Sequence, residues 1–161
     1  MTDCASPRGK FAILHEQRIA ARMAHAWRAE VVMTGTGDAY DIAAVDAIFS
    51  RAGVICAVAE IKWRAPSLTF TSLHRFGSYL ITHRKLQRGR VAARLLRVPY
   101  LVVAGLADAD VWWTVADLSG RWVENVHVAK TTTQRTINGG TVLRWNAYIP
   151  LTHMRALAHT S

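Results

Sequence analysis

The stretch Val54-Ile55-Cys56-Ala57-Val58-Ala59-Glu60-Ile61-Lys62-Trp63 decides how this chain is read. Its first six residues hold no polar side chain, which predicts a strand buried on both faces in the middle of a sheet. Charge then enters at Glu60 and Lys62. Residues i and i+2 of a strand share a face, so this carboxylate and this ammonium are neighbours beside a core-grade run. A charge taken out of water is costly unless it is paired or holds a metal.

Upstream, Tyr40–Phe49 reads as a second strand, and Ser50–Gly53 as the turn between the two. So short a connection predicts an antiparallel hairpin. The partner strand offers two acids, Asp41 and Asp46. Asp46 precedes Glu60 by 14 residues with Gly53 at the midpoint, which brings those two carboxylates together; a turn centred earlier would select Asp41. Two carboxylates and a lysine have a chemical use. Carboxylate oxygens are ligands for Mg²⁺, which keeps several waters and accepts phosphate oxygens. Such an ion acidifies a bound water, and an adjacent ammonium can orient that water or offset developing charge.

Periodicity extends the outline. Phe11–Glu30 reads as an amphipathic helix with Phe11, Leu14, Ile19, Met23, Ala26 and Trp27 inward. Ser72–Arg97 reads as helical, either bent or broken at Gly77 and Gly89, with Leu73, Phe76, Leu80, Leu86, Val91, Leu95 and Leu96 inward. Pro99 stops it. Tyr100–Gly105 is a buried strand, Asp108–Asp110 a turn, and Val111–Val115 a strand pairing back. Trp122–Val128 and Thr141–Ile149 read as strands around the Asn138-Gly139-Gly140 turn, and Pro150–Ala158 as a short closing helix. The expected class is mixed α/β (α+β), a central mixed sheet flanked by helices. One domain is expected over 1–161, with a core at about 10–116 and a C-terminal β extension at about 118–161.

Composition bounds the partners. The chain has 161 residues, 51% of them apolar, with 20 Lys plus Arg against 11 Asp plus Glu, a net charge of +9. That is a folding composition, not a disordered one. Between Glu60 and Asp108 there is no acid, yet the interval holds Lys62, Arg64, Arg75, Arg84, Lys85, Arg88, Arg90, Arg94 and Arg97. A concentrated block of this kind is a footprint for a polyanion. No apolar run matches a membrane span and no signal peptide is evident, so the expectation is a cytoplasmic protein with no membrane partner. Cys4 and Cys56 are too few for a disulfide scaffold or zinc module. His15-Glu16 lacks the second histidine of a zinc-protease helix, and there is no phosphate loop of the Gly-x4-Gly-Lys type. The six tryptophans read as core, with Trp63 beside Lys62 as the exception.

Val45-Asp46-Ala47-Ile48-Phe49, a glycine turn, then Ala57-Val58-Ala59-Glu60-Ile61-Lys62-Trp63-Arg64 resembles the PD-(D/E)XK nuclease superfamily, over about residues 10–116. Val45 stands where the family motif has proline. The chain most resembles the small nucleases of phages and bacteria. That resemblance implies a restriction-endonuclease-like αβββαβ core whose third early strand comes from Val31–Thr34. It implies a Mg²⁺-dependent deoxyribonuclease, with Mn²⁺ able to substitute, in a bacterial or phage-infected cell. Asp46 and Glu60 would bind the metal, with the Ile61 carbonyl as a further ligand, and Lys62 would position the attacking water. Glu16 matches a helical glutamate that many members place near the metal. Arg84, Lys85 and Arg88 would contact the DNA backbone, and a homodimer is possible because many small members form one. The alternative is a nucleic-acid-binding module on the same fold without catalysis; a third reading is a protein whose basic helix meets an acidic protein partner.

Overall fold

A computed structural model describes residues 7–35, 43–134 and 140–159. Twelve elements follow one another among the described residues. They are α1 (Pro7–Trp27), β1 (Glu30–Met33), β2 (Ala47–Arg51), β3 (Val54–Trp63), α2 (Phe70–Phe76), β4 (Ser78–Thr82), α3 (His83–Leu96), β5 (Tyr100–Gly105), β6 (Ala109–Ala116), β7 (His127–Gln134), β8 (Thr141–Pro150) and β9 (Arg155–Ala158). Six strands form one sheet in the order β1-β2-β3-β5-β6-β9, and three form another in the order β4-β8-β7. In the larger sheet β3 and β5 are parallel and the other pairs antiparallel, so the sheet is mixed. The parallel step requires a crossover, which α3 supplies.

The larger sheet has a core on each face. On one, Ile19 and Met23 of α1 pack with Phe49, Ala59, Ile61 and Val103. On the other, Leu86 of α3 joins Val58, Tyr79, Tyr100, Val102, Trp113 and Ile149, so the three-stranded sheet shares this core. Burying a large aliphatic or aromatic side chain contributes roughly 1.5–3 kcal/mol, so these two layers fix the sheet between its helices. α3 lies close against β5 because residue 89 is glycine: a Cβ there would fall 2.1 Å from Tyr100 Cζ. From the sequence alone Gly89 is only a weak helix former.

The β2–β3 hairpin turns at Ala52-Gly53, with φ of 49° and 76°, the two-residue turn with both central residues left-handed that suits strand twist. Arg51 pairs with Val54 and Ser50 with Ile55, but Phe49 pairs with Ala57, so a bulge at Cys56 shifts the register by one residue. Ala47 consequently faces Ala59, and Asp46 N donates to Ala59 O at 2.8 Å. Asp46 comes to the same face as Glu60. Without the bulge it would share a face with Ala59, away from the charged pair.

Several expectations are corrected. α1 starts earlier than Phe11 and ends at Trp27, and Phe11, Leu14 and Ala26 are exposed. β2 begins only at Ala47; Tyr40, Asp41 and Ile42 lie outside the described residues. The apolar run of β3 is buried from Ala57, while Val54 and Ile55 are exposed. Tyr79-Leu80-Ile81 is a strand, not a helix. Gly77, at φ 73°, closes α2, after which Tyr79 and Ile81 turn inward and Leu80 outward with the period of a strand paired to β8. Phe76, Val91, Leu95 and Leu96 are exposed as well. The expected strand at Trp122 is a single bridge to Ala116, and its ladder starts at His127. Asp110 lies in β6, not in a turn. Residues 155–158 form an edge strand on β6 where a closing helix was expected. The third early strand does come from the Val31–Thr34 region, as β1. Asn138 and Gly139 lie outside the described residues. No helix among the described residues is long and apolar enough to cross a membrane.

Candidate active site

Glu60 and Lys62 alternate on one face at the close of β3, Asp46 stands across the ladder, and α1 and α3 bring Glu16 and Lys85 from either side. The main chain of Asp46 is held twice over. Its N–H donates into β3, and its carbonyl accepts from Thr34 N at 2.9 Å. The Thr34 hydroxyl also donates to the neighbouring Val45 carbonyl. Thr34, immediately after β1, therefore aims Asp46, although the acid itself lies outside any strand.

The five side chains form one network. Lys62 Nζ lies 2.8 Å from Asp46 Oδ2, 3.0 Å from Glu60 Oε1 and 3.5 Å from Glu16 Oε1. It also donates to the Ile61 carbonyl at 2.8 Å. Lys85 Nζ lies 3.3 Å from both Asp46 Oδ1 and Glu60 Oε2. Two ammonium groups thus straddle one pair of carboxylates, each touching a different oxygen of each acid. Asp46 Oδ2 accepts a further bond from Ile61 N–H at 3.0 Å. Glu60 Oε1 is a buried oxygen whose neighbour is the Lys62 ammonium, held as an ion pair at 3.0 Å.

Environment separates the acids. Burial pushes the Asp46 carboxyl up, but the Lys62 and Lys85 charges and the bonds from Lys62 and Ile61 N–H outweigh it and hold the group at about 2. Glu60 is wholly buried; desolvation, reinforced by the Asp46 charge, raises it despite the two lysines. Glu16 is raised by burial too, with Lys62 opposing. Burial works against the Lys62 ammonium, yet the charges of Glu60, Asp46 and Glu16 lift it well above its ordinary value, so it stays protonated.

The donor set suits a hard cation. Asp46, Glu60 and the Ile61 carbonyl offer only oxygen, the ligand type of Mg²⁺, and Glu60 Oε1 is a buried acceptor with unused capacity. Among the described residues no three His, Cys, Asp or Glu side chains form a ready cage for an ion. The centre toward which Glu16, Asp46 and Glu60 converge is filled by the Lys62 ammonium, so a divalent ion would compete with that group for the same oxygens.

Glu16, Asp46, Glu60 and Lys62, singled out from the sequence, are brought together. Lys85, expected among the backbone contacts, turns inward to the carboxylates instead. Arg84 is exposed and Arg88 half-buried on α3, neither with an acidic partner among the described residues. Asp41 lies outside the described residues. Trp63 stacks on His15 with centroids 4.4 Å apart, and Phe11 meets both rings edge-on, forming an aromatic ledge beside Lys62. Tyr100 escaped the sequence reading. Its hydroxyl is buried without a hydrogen bond, and desolvation plus the Glu60 and Asp46 charges keep it protonated far beyond neutral pH. An aromatic opening an apolar strand carries no sequence mark of such a place. No protein-family model matches the chain, and no curated protein matches it in sequence.

Proposed function

We propose that this protein is a Mg²⁺-dependent nuclease that hydrolyses phosphodiester bonds in DNA, on a restriction-endonuclease-like core of α1, β1, β2, β3, α3 and β5. The observation that carries the reading is the convergence of Asp46, Glu60 and Lys62 at the close of a buried strand, an arrangement that a purely structural sequence would avoid. Asp46, Glu60 and the Ile61 carbonyl would hold the ion. When bound, Mg²⁺ polarises the phosphate and acidifies the attacking water. Lys62, already charged, cannot take a proton; it donates hydrogen bonds that orient the water and offset charge on the phosphate. Glu16 meets Lys62 at 3.5 Å and positions its ammonium. Lys85, on the other side of the carboxylate pair, stands where a phosphate approaching the site meets a cation. The parallel β3–β5 step with α3 in its crossover supports this reading, while α2 and β4 are inserted between β3 and α3.

The experiment is a panel of linear, nicked, branched and single-stranded DNAs incubated with Mg²⁺ or Mn²⁺, with chelator, and with Lys62→Ala protein. Cleavage that needs the metal and disappears in the variant supports the reading. Salt-sensitive DNA binding with no cleavage of any substrate contradicts it and points to the non-catalytic module.

A further inference from the structure

A second basic feature lies away from the carboxylates. The turn that follows β6 packs against the C-terminal half of α3 and leaves a cavity of about 350 Å³ between them, lined by Arg90, Arg94, Ser119, Arg121 and Trp122 among others. That volume lies within the usual range of ligand sites. Three arginines thus border it. Arg90 is fixed by lying over the Trp122 ring, 4.8 Å from its centroid. Arg94 backs onto Gly120, where an added Cβ would come to 3.0 Å from Arg94 Cβ and 3.3 Å from the Arg90 carbonyl, so a larger residue would press the turn away from α3 by a few tenths of an ångström. Gly120 also needs its φ of 77°.

The one acid of the turn is already engaged. Asp117 Oδ1 accepts from Ser119 N at 2.8 Å, Ser119 Oγ at 2.6 Å and Arg121 N at 2.9 Å, and Oδ2 faces Arg121 Nε at 3.5 Å. These bonds shape the turn and consume the acceptor capacity of the carboxylate. Among the described residues, neither Arg90 nor Arg94 faces a carboxylate. Three arginines around one cavity, two without a counter-charge and one braced on Trp122, make a site for a tetrahedral oxyanion, which guanidinium groups bind with paired hydrogen bonds.

We propose that this cavity binds a backbone phosphate of nucleic acid, so that the strand is gripped on both flanks of α3. Arg90 and Arg94 follow Lys85 by five and nine residues, roughly 140° and 180° around a helix of 3.6 residues per turn. Lys85 faces the carboxylates; the two arginines face the other way. Nine residues advance about 14 Å along the axis, near four base-pair steps at about 3.4 Å each. Exposed Arg84 and half-buried Arg88 lie on the side of α3 between the two flanks. Continuity with that stripe selects a polymer over a free anion. The identity of the polyanion rests on the nuclease reading; the phosphate pocket itself does not.

The test is fluorescence anisotropy of a labelled 20-bp duplex, in chelator, over a series of salt concentrations. Arg94→Ala with Arg121→Ala removes two pocket charges and keeps the Arg90–Trp122 brace; Arg18→Ala with Arg28→Ala removes two exposed charges from the α1 side as a control. The pocket variant is expected to bind roughly tenfold more weakly than the control, with a salt slope shallower by about 0.9, the loss of one phosphate contact. An affinity and slope equal to the control overturn the proposal. So does a pocket variant that loses thermal stabilisation by tripolyphosphate while keeping duplex affinity, which would make the cavity a small-anion site. Calorimetry with Mn²⁺ separates this inference from the nuclease reading. Metal bound at the carboxylates with no effect of the arginine pair sinks only the pocket; arginine-dependent DNA binding with no metal bound sinks only the nuclease.

Discussion

At the start of β3, Val54 and Ile55 stand in solvent, 68% and 37% exposed, while at its close Glu60 is 0% exposed. One strand thus carries apolar side chains outside and a carboxylate inside. The exposed start is cheap, because single apolar residues on a surface are ordinary and the hairpin tip touches little. The close is not, because a buried acid needs compensation from named partners, here Lys62, Lys85 and the register that brings Asp46 alongside. The contrast teaches where selection for stability yields to something else. A hairpin tip tolerates whatever keeps its turn, whereas the far end concentrates charge that folding alone would exclude.

The sharpest way to break that contrast is Lys62→Ala. Cleavage should fall below detection. In chelator the variant should also lose about 3–5 kcal/mol of stability in urea unfolding, because three carboxylates are left around a missing cation; Mg²⁺ should restore part of this. A variant as stable as the parent would show that the close of β3 is no more demanding than its start. Glu60→Gln should reduce cleavage by at least ~100-fold yet raise the midpoint of thermal unfolding at pH 7 in chelator. The sign follows from burial. The folded-state pKa of Glu60 lies above its unfolded value, so the charged form destabilises the fold above that range, and a neutral isostere removes the cost. A lower midpoint would contradict this.

Asp46 should behave in the opposite sense. Its carboxyl is depressed from 3.8 to about 2, so its contribution is present above the unfolded pKa and lost as pH falls through the folded one. Asp46→Asn should therefore cost roughly 2 kcal/mol at pH 7 in chelator, shrinking as pH drops from about 4 towards 2. A difference that stays constant across that window would contradict it. Val54→Thr, at the exposed start of the same strand, should shift stability by no more than about 0.5 kcal/mol. A larger loss would mean that the hairpin tip is packed.

Much of the site was legible because strand alternation is strict. Once Glu60 and Lys62 lie on a strand they must share a face, and the 14-residue spacing to Asp46 implied a near pairing. The bulge at Cys56 that makes the pairing true leaves no mark in a run of apolar residues. β4 was hidden because five residues after a glycine fit helical and extended periods equally well, and pairing with β8, more than sixty residues away, decides between them. β9 was hidden for the same reason: its four residues become a strand only beside β6. The inward turn of Lys85 depends on how closely α3 lies on β5, which Gly89 permits through its contact with Tyr100. That closeness belongs to packing, and composition says nothing of it.

The most direct measurement is calorimetric titration of Mn²⁺ into the protein and into Asp46→Asn, with circular dichroism confirming that the variant is folded. The account predicts saturable binding to the parent protein and binding weakened by at least about tenfold in the variant. Absence of saturable binding to the parent, or identical affinity in the two proteins, would mean that these carboxylates do not gather a divalent ion, and the catalytic reading would be wrong.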